Sequence, residues 1–527
     1  AEDALAAFAQ RDDVVVGGGA VIGQQLGETI SEDLGRAELL AFPLLLLLSL
    51  LFFRGRAALL PLTVGLTTVL GTFLVLSAVN LVYGLNVFAL NLVIGLGLGL
   101  AIDYTLFLVT RFREQLAAGD EVGAAIATTM RTAGRTIVFS AATVAAALGM
   151  LTLFPLGFAE SMGIAGASVA VVAGVASLAI SPALLALWGV KLARRPGADD
   201  RWHRIAHLVM RRPGAIALVT AAVMVAAALP ALTVAWTPVD ATAVPADKSA
   251  RVVYEATQAE FGGQGATPIT AVLTASAEQA QAYAARFGAQ AQALGNDTWR
   301  VTVQAPGNPA GADARALVEE MRATPAPFDV AVTGPAAEFI DQQATIGGRL
   351  PLAIAALAVL TFVLLWLMTG SVVLPLKAIA MNALTVGAAL TPLVLIWGDV
   401  EPTDFLVSAA LIFALSTDYG VFLLGRIKEA RDAGESEREA VAVGIARTGR
   451  VVTAAAILLA VAIGAFSTSS ISFIQQIGVG VATGVLIDAF VVRTLLVPSL
   501  MGLLGKWNWW SPKPLRRLHG RVGVAHA

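Results

Sequence analysis

The chain has 527 residues, 57% of them hydrophobic and only 14% charged, with a mean hydropathy of +0.76. That profile excludes an ordinary soluble protein and calls for one that crosses a membrane several times. A formal net charge of −2 offers nothing to nucleic acid, and the absence of cysteine removes disulfides, thiolate metal sites and cysteine nucleophiles from consideration.

The chain opens on AEDALAAFAQRDD, which lacks the basic start, apolar core and cleavage motif of a signal peptide. VVGGGAVIGQQLGETISEDLGRAELLAF, from residue 15, runs parallel to VAVTGPAAEFIDQQATIGGRLPLAI, from residue 330. Each reads as a short strand, a polar helix and a membrane entry. Residues 1–38 are therefore expected to be the C-terminal part of a first extracytoplasmic domain, whose remainder, with one further span, would precede residue 1.

Apolar segments follow at about 39–53, 57–80, 86–110, 135–153, 160–188 and 214–236, a first bundle of six spans over 39–236. Residues 237–347 turn polar. ATPITAVLTA, TWRVTVQA and FDVAVTG read as strands, with SAEQAQAYAARFGAQAQAL and GADARALVEEMRA as helices between them, giving an α/β domain. A second bundle of five spans over 348–505 resumes at about 349–369, 372–397, 403–425, 450–467 and 474–504, and residues 506–527 form a tail. Eleven spans are visible of an expected twelve.

Most Lys and Arg outside the polar domain fall in loops on one side: Arg54 and Arg56, the 111–135, 191–212 and 426–450 loops, Lys377 and the tail. The turns near 80–86, 153–160, 397–405 and 466–476 carry none. The positive-inside rule makes the basic side cytoplasmic, the C-terminus with it, and puts the polar domain on the other face of a cell membrane. Trp507, Trp509 and Trp510, beside Arg516 and Arg517, suit an interfacial anchor or a partner contact.

Two of the spans contain an Asp-Tyr pair. GLGLGLAIDYTLFLVTRFREQ (95–115) holds Asp103, and ALIFALSTDYGVFLLGRIKEA (410–430) holds Asp418; each Asp is followed by Tyr (Tyr104, Tyr419) and, eight positions on, by Arg (Arg111, Arg426). At about 1.5 Å per residue each acid lies about 12 Å inside the polar edge, where an ionised Asp costs roughly 2.5–3.5 kcal/mol. Asp103 and Asp418, Arg111 and Arg426, Gly134-Arg135 and Gly449-Arg450, Phe158 and Phe473, and Gly163 and Gly478 share one offset of 315 residues. A constant offset over about 60 residues marks a duplication with two halves of parallel topology. The expected fold is a membrane α-helical bundle with a pseudo-twofold internal repeat, plus an extracytoplasmic α/β porter-like domain.

With its paired Asp-Tyr spans, Gly99 four residues before Asp103, TAGRTIVFS after the basic loop and GVGVATGVLIDAFVVRTLLVPSL near the end, the chain resembles the MMPL (mycobacterial membrane protein large) branch of the resistance-nodulation-division transporters. It departs from the family pattern at its start, where the first span and most of the first porter domain are not seen. The resemblance implies a secondary transporter rather than an enzyme. Such a protein exports lipids or other hydrophobic molecules from the inner membrane to the cell envelope, driven by protons entering through facing Asp-Tyr pairs. The implied partners are a lipid substrate, the bilayer and envelope-assembly proteins, with one copy or three left open; protons are the coupling ion and no cofactor is called for. Two other readings stay open: a protein-export accessory of the same superfamily using proton flux, and a lipid sensor that transports nothing.

The relay expected from these residues has Asp103 facing Asp418, with Tyr104 and Tyr419 hydrogen-bonding across the pair. Burial disfavours the charged form of an acid, so protonation and release switch its charge as access alternates. Ser140, in TAGRTIVFS, either faces the acids or simply packs between helices. Asp488 and Arg493 of the last span have Ala173 and Leu178 at the repeat offset and read as a structural ion pair rather than a substrate site. Gly95, Gly97 and Gly99 precede no βαβ unit and read as helix contacts, not a phosphate loop. His203 and His207, spaced i,i+4, have no third ligand nearby in sequence and read as solvent-facing; Arg135 and Arg450 read as snorkelling residues at span edges.

Overall fold

The computed structural model describes residues 14–53, 55–189, 200–239, 241–260 and 266–522. The opening residues 1–13, the loop 190–199 and the end of the tail from 523 lie outside the described residues. The first half runs α1 (Gly19–Phe53), α2 (Leu59–Asn80), α3 (Ala89–Ala117), α4 (Val122–Thr129), α5 (Arg135–Gly149), α6 (Gly157–Trp188), α7 (Asp200–Arg211) and α8 (Pro213–Ala228). A short strand β1 (Ala235–Trp236) leads to α9 (Ser249–Glu260), β2 (Ala266–Thr274), α10 (Ala277–Ala285), β3 (Ala291–Gly295), β4 (Thr298–Pro306), α11 (Ala312–Ala323) and β5 (Val330–Thr333). The second half runs α12 (Pro335–Thr369), α13 (Val373–Trp397), β6 (Asp399–Val400), α14 (Pro402–Asp432), α15 (Glu437–Gly464), α16 (Ser472–Ile487), a π-helical stretch (Asp488–Leu496), α17 (Val497–Leu504) and α18 (Lys513–Val522).

Ten helices among the described residues are long and apolar enough to cross a membrane. The eleventh expected segment, 39–53, is the end of α1, a single helix part of whose side chains lie outside the described residues. Burial sorts the spans. The most apolar window of Leu92–Ala117 is 94% buried and that of Pro402–Asp432 is 78% buried, against half or less for each of the others. The two Asp helices, α3 and α14, are thus the centre of the bundle, while Leu74, Leu187, Leu218 and Leu395 face outward as a lipid-exposed belt requires.

The duplication is visible in the packing. Helix α3 of the first half packs against α15 of the second, and α14 packs against α5, which is the repeat equivalent of α15. Close approach of α3 to α15 uses missing side chains: a Cβ at Gly95 would meet the Phe466 ring at 2.7 Å, and one at Gly99 would meet Leu459 at 2.1 Å. Gly163 and Gly478, one offset apart, each abut the end of the preceding hairpin, where a Cβ would press on Leu148 O at 3.1 Å and Ser467 N at 2.6 Å.

The polar domain forms an antiparallel four-stranded sheet of order β3-β4-β2-β5. Alternate residues Ile269, Ala271 and Leu273 of β2 point into a core shared with Tyr283, Val318 and Met321 of α10 and α11. Two expectations are corrected here. The helix read across 276–294 stops at Ala285, because Gly288 takes φ +65° and breaks it, and residues 291–295 become β3. Asn296 and Asp297, both at positive φ, then form the tight turn into β4, the conformation that suits a two-residue hairpin. Nor is there a strand at residues 14–17, which pair with no other strand among the described residues. Instead Ser249 Oγ donates to Val16 O at 2.8 Å, while Gln25 donates to Ser249 and accepts from Ala250 N, which ties the start of α1 to α9.

Candidate functional site

The site is built on α3 and α14, which an Arg-Glu quartet clamps together at one end. Arg111 reaches Glu114 of its own helix at 3.0 Å and Glu429 of the other; Arg426 reaches Glu429 at 3.0 Å and Glu114 at 3.0 Å. Since 111 corresponds to 426 and 114 to 429 under the repeat, the quartet maps onto itself under the pseudo-twofold. One turn beyond the acids, Phe107 and Phe422, again one offset apart, stack with ring centroids 3.7 Å apart and planes 8° from parallel.

Asp103, Tyr104, Asp418 and Tyr419 are all fully buried, with at most 1% exposure. The structure brings Asp103 and Tyr419 together: the Tyr419 hydroxyl donates to Asp103 Oδ2 at 2.7 Å. The reciprocal bond is missing. Tyr104 accepts instead from Ser140 Oγ of α5 at 3.3 Å, and neither oxygen of Asp418 has a hydrogen-bond partner among the described residues. The expectation of two phenol bonds across the pair is corrected to one. The physical reason is local: the environment around Asp418 is not the environment around Asp103.

Around α14 a polar network fills the space. Ser416 donates to Asp488 Oδ1 at 2.6 Å; Arg493 Nε donates to Asp488 Oδ2 at 2.6 Å and its NH2 group to Ser416 O at 2.6 Å. Asn382 of α13 donates to Thr417 at 2.7 Å. The Arg493 guanidinium lies 5.4 Å from the Tyr419 ring centroid, within cation–π range. Five residues separate Asp488 from Arg493, and the π-helical stretch, with its wider turn, sets them on one face. They are an ion pair, and one that touches the phenol of the Asp-Tyr pair. Lys377, Asn382, Ser416, Thr417, Asp488 and Arg493 line one cavity together with apolar residues such as Leu374, Met381 and Leu424.

Sequence reasoning missed Asn382, Ser416 and Thr417. The signal was present: at the repeat offset they fall on Thr67, Ala101 and Ile102, and comparing the halves for differences rather than identities would have exposed them. Nor did it anticipate Glu439, from the first turn of α15 and 236 residues from His203, which meets both imidazoles while these stay 36% and 41% exposed. The tail lies against the bundle, with Trp509 Nε1 donating to Glu437 at 2.9 Å and Arg431 stacked 4.5 Å over its ring, while Trp507 and Trp510 stay exposed.

This geometry of two repeated halves around buried acids has relatives. The profile of the MMPL family matches residues 2–216 and 246–522. The chain belongs to the MMPL family. A membrane protein of Streptomyces coelicolor is 42% identical over 97% of this chain and 76% of its own length. The trehalose monomycolate exporter MmpL3 of Mycobacterium tuberculosis is 33% identical over 95% of this chain, and the mycolic acid-containing lipids exporter MmpL11 of Mycolicibacterium smegmatis is 31% identical over 96%. This MMPL chain spans only 61% and 57% of the length of those two exporters. Among solved structures, SecDF of Thermus thermophilus, a translocon-associated membrane protein, superposes with a TM-score of 0.61 at 16% identity, covering 90% of this chain and 62% of that one. That likeness is one of fold.

Proposed function

We propose that this MMPL protein is a proton-driven exporter that moves lipids or other hydrophobic molecules from the inner membrane toward the cell envelope, with the Arg111–Arg426 end of the bundle and the C-terminus in the cytoplasm. The observation that carries the reading is the Tyr419–Asp103 bond, made across the boundary between the two halves in a fully buried site. A carboxylate held out of water without a full set of partners costs several kcal/mol, so loading and unloading a proton changes the energy of the interface between the halves. Asp418, with no bonded partner among the described residues, is the acid whose charge is least compensated; Asp103 keeps one phenol bond. A change in the protonation of either acid shifts the packing of α3 on α14. Each charge crossing 100 mV supplies about 2.3 kcal/mol, enough to bias two arrangements of the halves.

Export of hydrocarbon is supported by the second cavity, lined by Phe88, Phe158, Met162, Leu411, Phe466 and Phe473, which lies between the two halves and is almost wholly apolar. The similarity to the lipid exporters MmpL3 and MmpL11 points the same way. The test is proton flux into liposomes carrying the purified protein, with Asp103→Asn and Asp418→Asn beside the native chain. Flux that survives both substitutions removes the relay. Mass spectrometry of lipid that co-purifies separates export of lipid from a protein-export accessory, which would arrive with translocon subunits instead.

A further inference from the structure

Helix α7, between α6 and α8 of the first half, carries His203 and His207 one turn apart, so their imidazoles share a face. Glu439 sits in the first turn of α15, where its backbone N–H donates to the Ser436 cap at 3.3 Å and its side chain turns toward α7. His203 Nε2 lies 2.8 Å from one carboxylate oxygen of Glu439 and His207 Nε2 lies 3.2 Å from the other, with the ring centroids 4.6 Å apart. The three donor atoms fall within 4.8 Å of one another. A surface carboxylate needs one cation to form an ordinary ion pair. Here two neutral-capable nitrogens and one carboxylate from two separate helices converge instead, and all three side chains remain 35–41% exposed, leaving room for water as a further ligand.

We propose that His203, His207 and Glu439 bind a transition-metal dication of the Zn²⁺ class. Two imidazoles and a carboxylate are a borderline donor set that suits Zn²⁺ and disfavours Mg²⁺ or Ca²⁺, which take oxygen ligands. Bond lengths of about 2.0–2.2 Å require only small movements of side chains already this close. The metal would clip α7 to α15. That position has a consequence for the bundle, because the neighbouring Trp202 packs on Gly449, where a Cβ would meet the indole at 2.5 Å, and also lines a cavity shared with Thr448, Thr494 and Arg493. A metal at the histidines therefore holds the indole that lines this cavity with Arg493.

The site is independent of whether the protein moves protons, and its test reads binding directly. Full-length, tag-free protein in detergent, stripped with EDTA, is titrated with Zn²⁺ by calorimetry, beside His203→Ala/His207→Ala and Glu439→Gln. One equivalent is expected for the native chain, with affinity weakened at least about tenfold in each variant, since even outer partners of metal ligands carry that much. No saturable binding to the native chain, or unchanged binding in both variants, overturns the proposal. Glu439→Gln keeps the shape of the contact, so it decides the matter even if loss of both rings detaches α7. Thermal unfolding adds a second reading: Zn²⁺ raises the Tm of the native chain and leaves that of Glu439→Gln where EDTA puts it.

Discussion

At the Arg111–Arg426 end the two halves are related by the pseudo-twofold, each Arg bonding the Glu of its own helix and the Glu of the other. Some turns further in, at the acids, they are not. Asp103 accepts from Tyr419, while Asp418 sits bare beside Ser416, Thr417, Asn382, Asp488 and Arg493, where the first half offers Ala101, Ile102, Thr67, Ala173 and Leu178. Duplication thus supplied the scaffold, and divergence on one side supplied the polarity. A symmetric clasp holds the helices in register, while the interior surrounds the two acids with different partners.

The sharpest way to break this comparison is at the acids themselves. Asp103→Asn and Asp418→Asn are each expected to lower proton-driven flux in liposomes by about 100-fold or more, the scale of losing a positioned proton-transfer group. If only one of them did so, the path would run through a single half. Next comes the polar side. Arg493→Met strands Asp488 in a buried setting, and thermal unfolding in detergent should show a loss of about 3–5 kcal/mol. Leu178→Met, at the equivalent place in the first half, should cost less than about 1.5 kcal/mol. Equal losses would mean that the ion pair does not distinguish the halves.

The phenols sharpen the contrast at smaller scale. Tyr419→Phe removes a 2.7 Å bond to an acid and should cost about 1.5–3 kcal/mol if Asp103 is charged, while Tyr104→Phe removes only a 3.3 Å bond to Ser140 and should cost about 0.5–1.5 kcal/mol. The order of the two in the same unfolding assay is the check. The smallest effect tests the symmetric end: Glu114→Gln and Glu429→Gln should each cost about 1 kcal/mol or less, and by nearly the same amount, because these partly exposed pairs are screened. Clearly unequal costs would show that the clasp is not symmetric after all.

Much of this was legible before any coordinates. Hydropathy located the spans because a backbone in hydrocarbon has almost no choice but the helix, and the offset of 315 residues announced the two halves because Asp-Tyr, Gly-Arg, Phe and Gly landmarks survived at matching positions. Short-range signals were less dependable where two structures compete for the same residues. Residues 291–295 have the Ala and Gln content of a helix, yet Gly288 and the Asn296-Asp297 turn hand them to the sheet. The chain by itself determined the membrane class, the repeat and the presence of two matched Asp-Tyr pairs, since each of these is written in local composition and spacing. Only the tertiary structure decided that Tyr419 rather than Tyr104 serves an acid, that Ser416 and Asn382 join Asp488, and that Glu439 reaches His203 and His207. Those contacts join residues from about 34 to 316 positions apart, and a side chain's partner across helices depends on rotation and close approach, which periodicity within one helix does not encode.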